Sequence, residues 1–202
     1  MRVSMLALAA CLVVSGSAGA AHGTQQRAAD RARRQEALAM LRDLNSRLLA
    51  NSSATLVLEQ WCGEHRLAPH ALIVAERVRD IVKPAGAEQR RRLAAGPDEA
   101  IRYRRVRLRC GDVVLSEADN WYVPARLTPE MNRLLDETDT PFGKAVRDLG
   151  PTRKTIAVKQ LWQGGAVRDP VLQHRAVLIG ADGRAISEVY ENYTAAALGL
   201  SK

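Results

Sequence analysis

Three arginines at alternate positions are the first residues whose type and spacing could do chemistry. Arg105, Arg107 and Arg109 share one face of a predicted strand, and Val106 and Leu108 between them belong to the other face. An arginine stays charged and can hold a carboxylate through two parallel hydrogen bonds. Three interpretations remain open here: a solvated basic face, a site for a small anion that uses one arginine, and a nucleic-acid surface.

A second candidate is the pair Cys62 and His65, which has the Cys-x-x-His spacing of metal ligands. His70 and His174 do not supply a second pair at a matching spacing. The sequence also has no glycine-rich phosphate loop and no serine in a nucleophile elbow. We therefore expect neither a metal nor another cofactor.

The densest run of polar and aromatic residues lies between positions 117 and 143. It contains two Thr-Pro steps, at 128–129 and 140–141. Threonine caps a first helical turn and proline fits the first helical position, so both steps predict helix starts. Folding alone explains this run, and a binding site formed by it is the alternative.

The elements that position these residues follow from hydrophobic periodicity. Leucines at 38, 41, 44 and 48 predict an amphipathic helix, whereas period-two alternation begins at residue 101. The predicted helices are 24–51, 54–65, 128–137 and 140–149; the predicted hairpins are 101–123 and 171–193, with strands also at 152–162 and within 69–82, and 83–100 is a connection. Helices followed by antiparallel strands predict an α+β fold with a single sheet of about six strands and helices packed on one face.

Composition limits the possible classes of protein. The 202 residues are 47% hydrophobic, which excludes global disorder and suits one domain. Thirty basic residues against 22 acidic ones give a net charge of +8, which suggests nucleic acid at first sight. Because the arginines alternate with apolar residues and aromatic platforms are scarce, we expect no nucleic-acid partner. We expect a monomer.

The first 20 residues have the pattern of a secretory signal peptide. Arg2 precedes an apolar segment at 5–14, and the small residues at 18–20 form a cleavage site. We therefore expect export to the periplasm or medium. A lipoprotein anchored through Cys11 is the minor alternative.

The predicted organisation is a signal peptide at 1–20, an N-terminal helix at 21–50 and the α+β domain at 51–202. No apolar run is long enough to be a membrane span after cleavage. Cys62 and Cys110 remain in the mature chain, and an oxidising compartment would allow them to pair. We expect the two cysteines to be either bonded or buried.

Several segments occur in the order found in one enzyme family. They are the arginine-bearing strand 103–110, the hairpin return 118–124, the Thr-Pro-Phe-Gly step 140–143, Thr-Arg-Lys at 152–154, Ser-Glu at 187–188, and more weakly Ser-Ser-Ala-Thr at 52–55 before Glu59. In this order the chain resembles the chorismate pyruvate-lyases over roughly residues 50–193. The resemblance implies an enzyme that eliminates pyruvate from chorismate and leaves 4-hydroxybenzoate.

The resemblance also implies roles for particular residues. Arg105 matches a ligand-binding arginine, and Glu188 matches a carboxylate that would protonate the leaving oxygen as a general acid. Phe142 takes the place of a family leucine, and Asn120 the place of a second family arginine. Ala54 stands where the family has a methionine. The expected site is thus Arg105, Asn120, Phe142 and Glu188, with Arg105 and Glu188 catalytic.

Two hypotheses of different classes follow. The first is a lyase acting on chorismate or a related enol ether. The second is an exported, non-catalytic module that holds a small aromatic carboxylate with the same fold. A plain structural or interaction protein is a third possibility.

Overall fold

The computed structural model describes residues 17–200, with side chains from residue 22 onward. The chain divides into two compact units between Glu36 and Ala37. The first unit contributes the exposed, charged first part of a long helix, and the second contains the α+β body. None of the helices in 17–200 is long and apolar enough to cross a membrane.

Two helices come first in the chain. Helix α1 covers Ser17–Ala50, and the predicted leucine stripe is buried from its middle onward, with Leu41, Leu44 and Leu48 fully inaccessible. Helix α2 covers Ala54–Glu64. Ser53 caps it, because its hydroxyl accepts a hydrogen bond from the Leu56 amide and satisfies one of the free first-turn donors.

Six strands form one antiparallel sheet. They are β1 (Ile73–Val78), β2 (Arg102–Cys110), β3 (Val113–Tyr122), β4 (Thr152–Gln160), β5 (Leu172–Ile179) and β6 (Ala185–Tyr193). Their order across the sheet is β1-β2-β3-β6-β5-β4, with every neighbouring pair antiparallel. The predicted fold class, α+β with a single six-stranded sheet, is confirmed.

The connection predicted for residues 83–100 contains a short helix, α3, at Ala87–Arg92. Leu93 behind it is fully buried and packs with Trp121 and Val123, so this segment covers part of one sheet face. The other helices pack on the opposite face, where their apolar side chains form two larger clusters with the strands.

A helix begins at the first Thr-Pro step as predicted and just after the second, where Pro141 rather than Thr140 is the cap residue and no side-chain cap bond forms. Helix α4 covers Pro129–Glu137, and Thr128 accepts a hydrogen bond from the Met131 amide. The second helix is shorter than predicted: α5 covers only Phe142–Ala145, and a separate 3-10 turn follows at Arg147–Leu149. Gly150 ends this segment in the left-handed region with φ 55°, a conformation that glycine adopts without strain.

Cys62 of α2 and Cys110 of β2 form a disulfide, with their Cα atoms 6.4 Å apart. Both residues are fully buried. The bond therefore ties helix α2 to the face of the sheet on which it packs.

Candidate functional site

A cavity lies between the starts of helices α2 and α5 and the inner face of the sheet, which is the face on which these two helices pack. Its volume is about 50 Å³, which is room for a few waters or part of a small organic molecule. Its lining includes Ser53, Thr55, Arg104, Asn120, Phe142, Arg153, Val189 and Glu191. Two arginines and one glutamate among these residues leave one excess positive charge.

Arg104 is the most unusual of these side chains. It is only 5% exposed, its Nε has no hydrogen-bond partner, and its one hydrogen bond is a long contact of 3.4 Å from Nη2 to the Thr138 carbonyl. Within the described chain no carboxylate forms an ion pair with it. Burial, followed by repulsion from Arg77, lowers the pKa of Arg104 from 12.5 to about 10.

Asn120 lies directly opposite Arg104 on the neighbouring strand. It is 4% exposed, and both Nδ2 and Oδ1 are buried without a partner. The start of helix α2 faces the same cavity through Ala54 and Thr55. The first amide groups of a helix lack intrahelical acceptors and carry partial positive charge, so this wall also favours an anion.

The second arginine of the cavity is paired. Arg153 contacts both carboxylate oxygens of Glu191, and Tyr193 donates its hydroxyl proton to Glu191 Oε2 at 2.9 Å. Burial alone would lower the pKa of Arg153, but the attraction of Glu191 raises it above its usual value. Glu191 is therefore engaged by two donors.

Two of the residues predicted for the site, Asn120 and Phe142, line this cavity. The other two, Arg105 and Glu188, lie outside it. Arg105 pairs with Glu117 at 2.6 Å and with Asp119 at 3.2 Å. The structure thus does not bring together the pocket of Arg105, Phe142 and Glu188 that the resemblance implied.

The reason is the alternation of side chains in strands. Arg105 faces away from helices α2, α4 and α5, with Arg107 and Arg109. Glu188 is fully buried on that same outer face, where Arg92 of helix α3 donates to its two oxygens at 2.7 and 2.9 Å. Ala54, which stands at the position of a family methionine, does line the cavity.

Sequence reasoning missed Arg104, Arg153 and Glu191 as members of the site. A signal for Arg104 was present, because it has the same parity as the apolar positions 106 and 108 and must share their buried face. Glu191 likewise has the parity of Val189 and Tyr193, whereas Glu188 does not.

No group of three or more histidine, cysteine, aspartate or glutamate side chains within the described residues is arranged to hold a metal ion. Cys62, one member of the Cys-x-x-His spacing, is bonded to Cys110 instead.

The uncharacterized protein y4mC of Sinorhizobium fredii is 49% identical to this chain over 180 residues, which cover 80% of this chain and 76% of that protein. The chain belongs to the same family as y4mC. No family model matches it.

The chain also resembles solved structures at low identity. The effector domain of PhnF from Mycobacterium smegmatis has 14% identity and a TM-score of 0.46, over 72% of this chain and 90% of that one. A GntR-family transcriptional regulator from Enterococcus faecalis has 13% identity and a TM-score of 0.43, over 63% and 98%. The chain covers 65% of the longer PhnF structure and 59% of YydK from Bacillus subtilis.

These names correct several predictions. The matched structures carry the names of transcriptional regulators, so the recognition of a chorismate lyase, its lyase activity and its products are wrong. The exclusion of a nucleic-acid partner conflicts with the same names and is also corrected. The names describe those proteins and not this chain.

The same matches give no support to a signal peptide or a periplasmic protein. The apolar segment of the predicted signal peptide, 5–14, and Cys11 lie outside the described residues, which begin at 17. Export therefore stays a prediction.

Proposed function

We propose that the α+β body is a binding domain for a small organic acid, whose carboxylate is held by Arg104 in the cavity between the sheet and helices α2 and α5. The observation that carries this proposal is the buried guanidinium of Arg104, which has no carboxylate partner among the described residues. Buried charges in proteins are normally paired, because their desolvation is costly.

The surroundings of Arg104 suit an anion. The excess charge of the lining residues is +1, and the start of helix α2 adds partial positive charge from another side. A carboxylate would accept hydrogen bonds from Arg104 and supply the missing countercharge. The apolar lining, which includes Phe142 and Val189, would contact the carbon skeleton of the ligand.

The proposal is one of binding, without catalysis. Glu191, the carboxylate in the lining, already accepts from Arg153 and Tyr193. A general acid must reach the atom that it protonates with a free proton, and the geometry gives Glu191 other partners.

Calorimetric titration of the full chain with a panel of small carboxylates tests this proposal. We expect saturable binding that Arg104→Met abolishes. Arg107→Met is the matched control, because Arg107 lies on the same strand but on the outer face, where its side chain is 42% exposed. Equal binding in wild type and Arg104→Met, or equal loss in the two variants, would refute a specific role for Arg104.

A further inference from the structure

Asn120 sits in the cavity with a free hydrogen-bond donor and a free acceptor. Both its Nδ2 and its Oδ1 are buried and without a partner among the described residues, and its side chain lines the cavity. Buried side-chain amides in native proteins are normally hydrogen-bonded, so each unpaired atom needs an explanation.

No neighbour of Asn120 within the described residues pairs with either atom. Ala118 along the strand and Val189 across it have no polar side-chain atoms. Arg104 on the other side is a donor only, so it cannot accept from Nδ2. Since no lining side chain pairs with the amide in the structure, its partner comes from the contents of the cavity.

We infer that the ligand carries a neutral carboxamide-type group in addition to its carboxylate, and that Asn120 selects it. This inference rests on the proposed function, because it places the carboxylate on Arg104. A ligand amide offers a carbonyl acceptor beside an N–H donor, so its edge pairs with the Asn120 edge through two hydrogen bonds. Primary amides and lactams share this edge, whereas an ordinary trans secondary amide points its N–H away from its C=O.

The charge of the cavity disfavours dicarboxylic acids, the main competing class of ligand. The lining carries a single excess positive charge, which one carboxylate neutralises. The second carboxylate of a dicarboxylic acid would be buried without a countercharge, and as an acceptor only it would leave Oδ1 of Asn120 unpaired. The second polar group of the ligand is therefore neutral and offers both a donor and an acceptor.

The test compares the affinities of amido acids with those of matched keto acids, the ketone twins, in which a methyl group replaces the amide NH2 group. The probes are succinamate beside 4-oxopentanoate and glutaramate beside 5-oxohexanoate, titrated calorimetrically into the full chain. We expect the better amido acid to bind at least ten-fold more tightly than its twin. Asn120→Leu should remove that preference by weakening the amido acid more than the ketone, which loses only the hydrogen bond from Nδ2 to its carbonyl; saturable binding of the ketone then shows that the variant is folded.

The outcomes separate this inference from the proposed function. If amide and ketone bind equally and Arg104→Met abolishes both, the role of Asn120 is refuted and the carboxylate site stands. A preference for the amide that persists in Asn120→Leu also refutes it. If none of the probes, nor any acid in the wider carboxylate panel, binds to the wild-type chain, both proposals fail. Asn120→Thr is the second variant if Asn120→Leu does not fold.

Discussion

Replacing Arg104 by methionine should make the unliganded protein more stable, although it removes the proposed binding group. Methionine is uncharged and matches the aliphatic part of the arginine side chain, so it keeps most of the packing beside the cavity. The substitution removes little hydrogen bonding, because Nε of Arg104 is unpaired and the contact of Arg104 with the Thr138 carbonyl is long at 3.4 Å. A buried ionic group without a good partner is often less stable than an apolar replacement.

The size of the effect follows from the pKa of Arg104. Burial and, after it, Arg77 lower that pKa from 12.5 to about 10. Since one pKa unit corresponds to about 1.4 kcal/mol, the folded protein disfavours the charged guanidinium by roughly 3 kcal/mol. Water in the cavity screens part of this penalty, so we expect Arg104→Met to raise the free energy of unfolding by about 1–3 kcal/mol.

Urea denaturation of wild type, Arg104→Met and Arg107→Met, followed by circular dichroism without ligand, measures this gain. Arg107→Met should change the free energy of unfolding by less than about 1 kcal/mol, because exposed ion pairs contribute little. A loss of stability in Arg104→Met larger than that of the control would show that the guanidinium is well satisfied in the folded chain. The reasoning that assigns it to a ligand would then be wrong.

Two further predictions concern stability. The disulfide between Cys62 and Cys110 closes a loop with a sequence separation of 48, so the double alanine variant should lose about 4 kcal/mol in urea denaturation by the loop-entropy relation; reductant should destabilise wild type similarly and leave the variant unchanged. His174 is fully buried, and burial lowers its pKa from 6.5 to about 4, so the unfolded chain binds a proton that the folded chain does not. Stability should therefore fall by roughly 3 kcal/mol between pH 6.5 and pH 4, a loss that His174→Gln should remove and His70→Gln should not.

Much of the fold was predictable from local patterns. The leucine spacing of α1, the period-two segments around residues 101–123 and 171–193, and the Thr-Pro helix starts all correspond to elements in the structure. Helix α3 was missed because its six residues, Ala87–Arg92, contain no apolar stripe, and none of them is buried.

The candidate site was harder to predict because it depends on which face each residue occupies. The resemblance placed the binding arginine at position 105, and the fold places Arg104 in the cavity. A shift of one residue along a strand moves a side chain to the opposite face. Glu188 and Glu191 differ in the same way, and only contacts between distant segments, such as Arg92 with Glu188, reveal the separation.

The two cavity arginines show why Arg104 is the informative one. The Arg153 side chain is 3% exposed and Arg104 is 5% exposed, so both guanidinium groups are almost completely removed from solvent. Where the charge is structural, the fold supplies a carboxylate: Glu191 contacts Arg153 and raises its pKa despite burial. At Arg104 the described chain supplies no ion pair, and burial and then Arg77 outweigh the attraction of Asp139 and Asp136, so the pKa falls. The same sheet face pairs one buried arginine, Arg153, with a carboxylate and leaves the other, Arg104, without one. Arg104 therefore marks the place where an anion from outside the chain would bind.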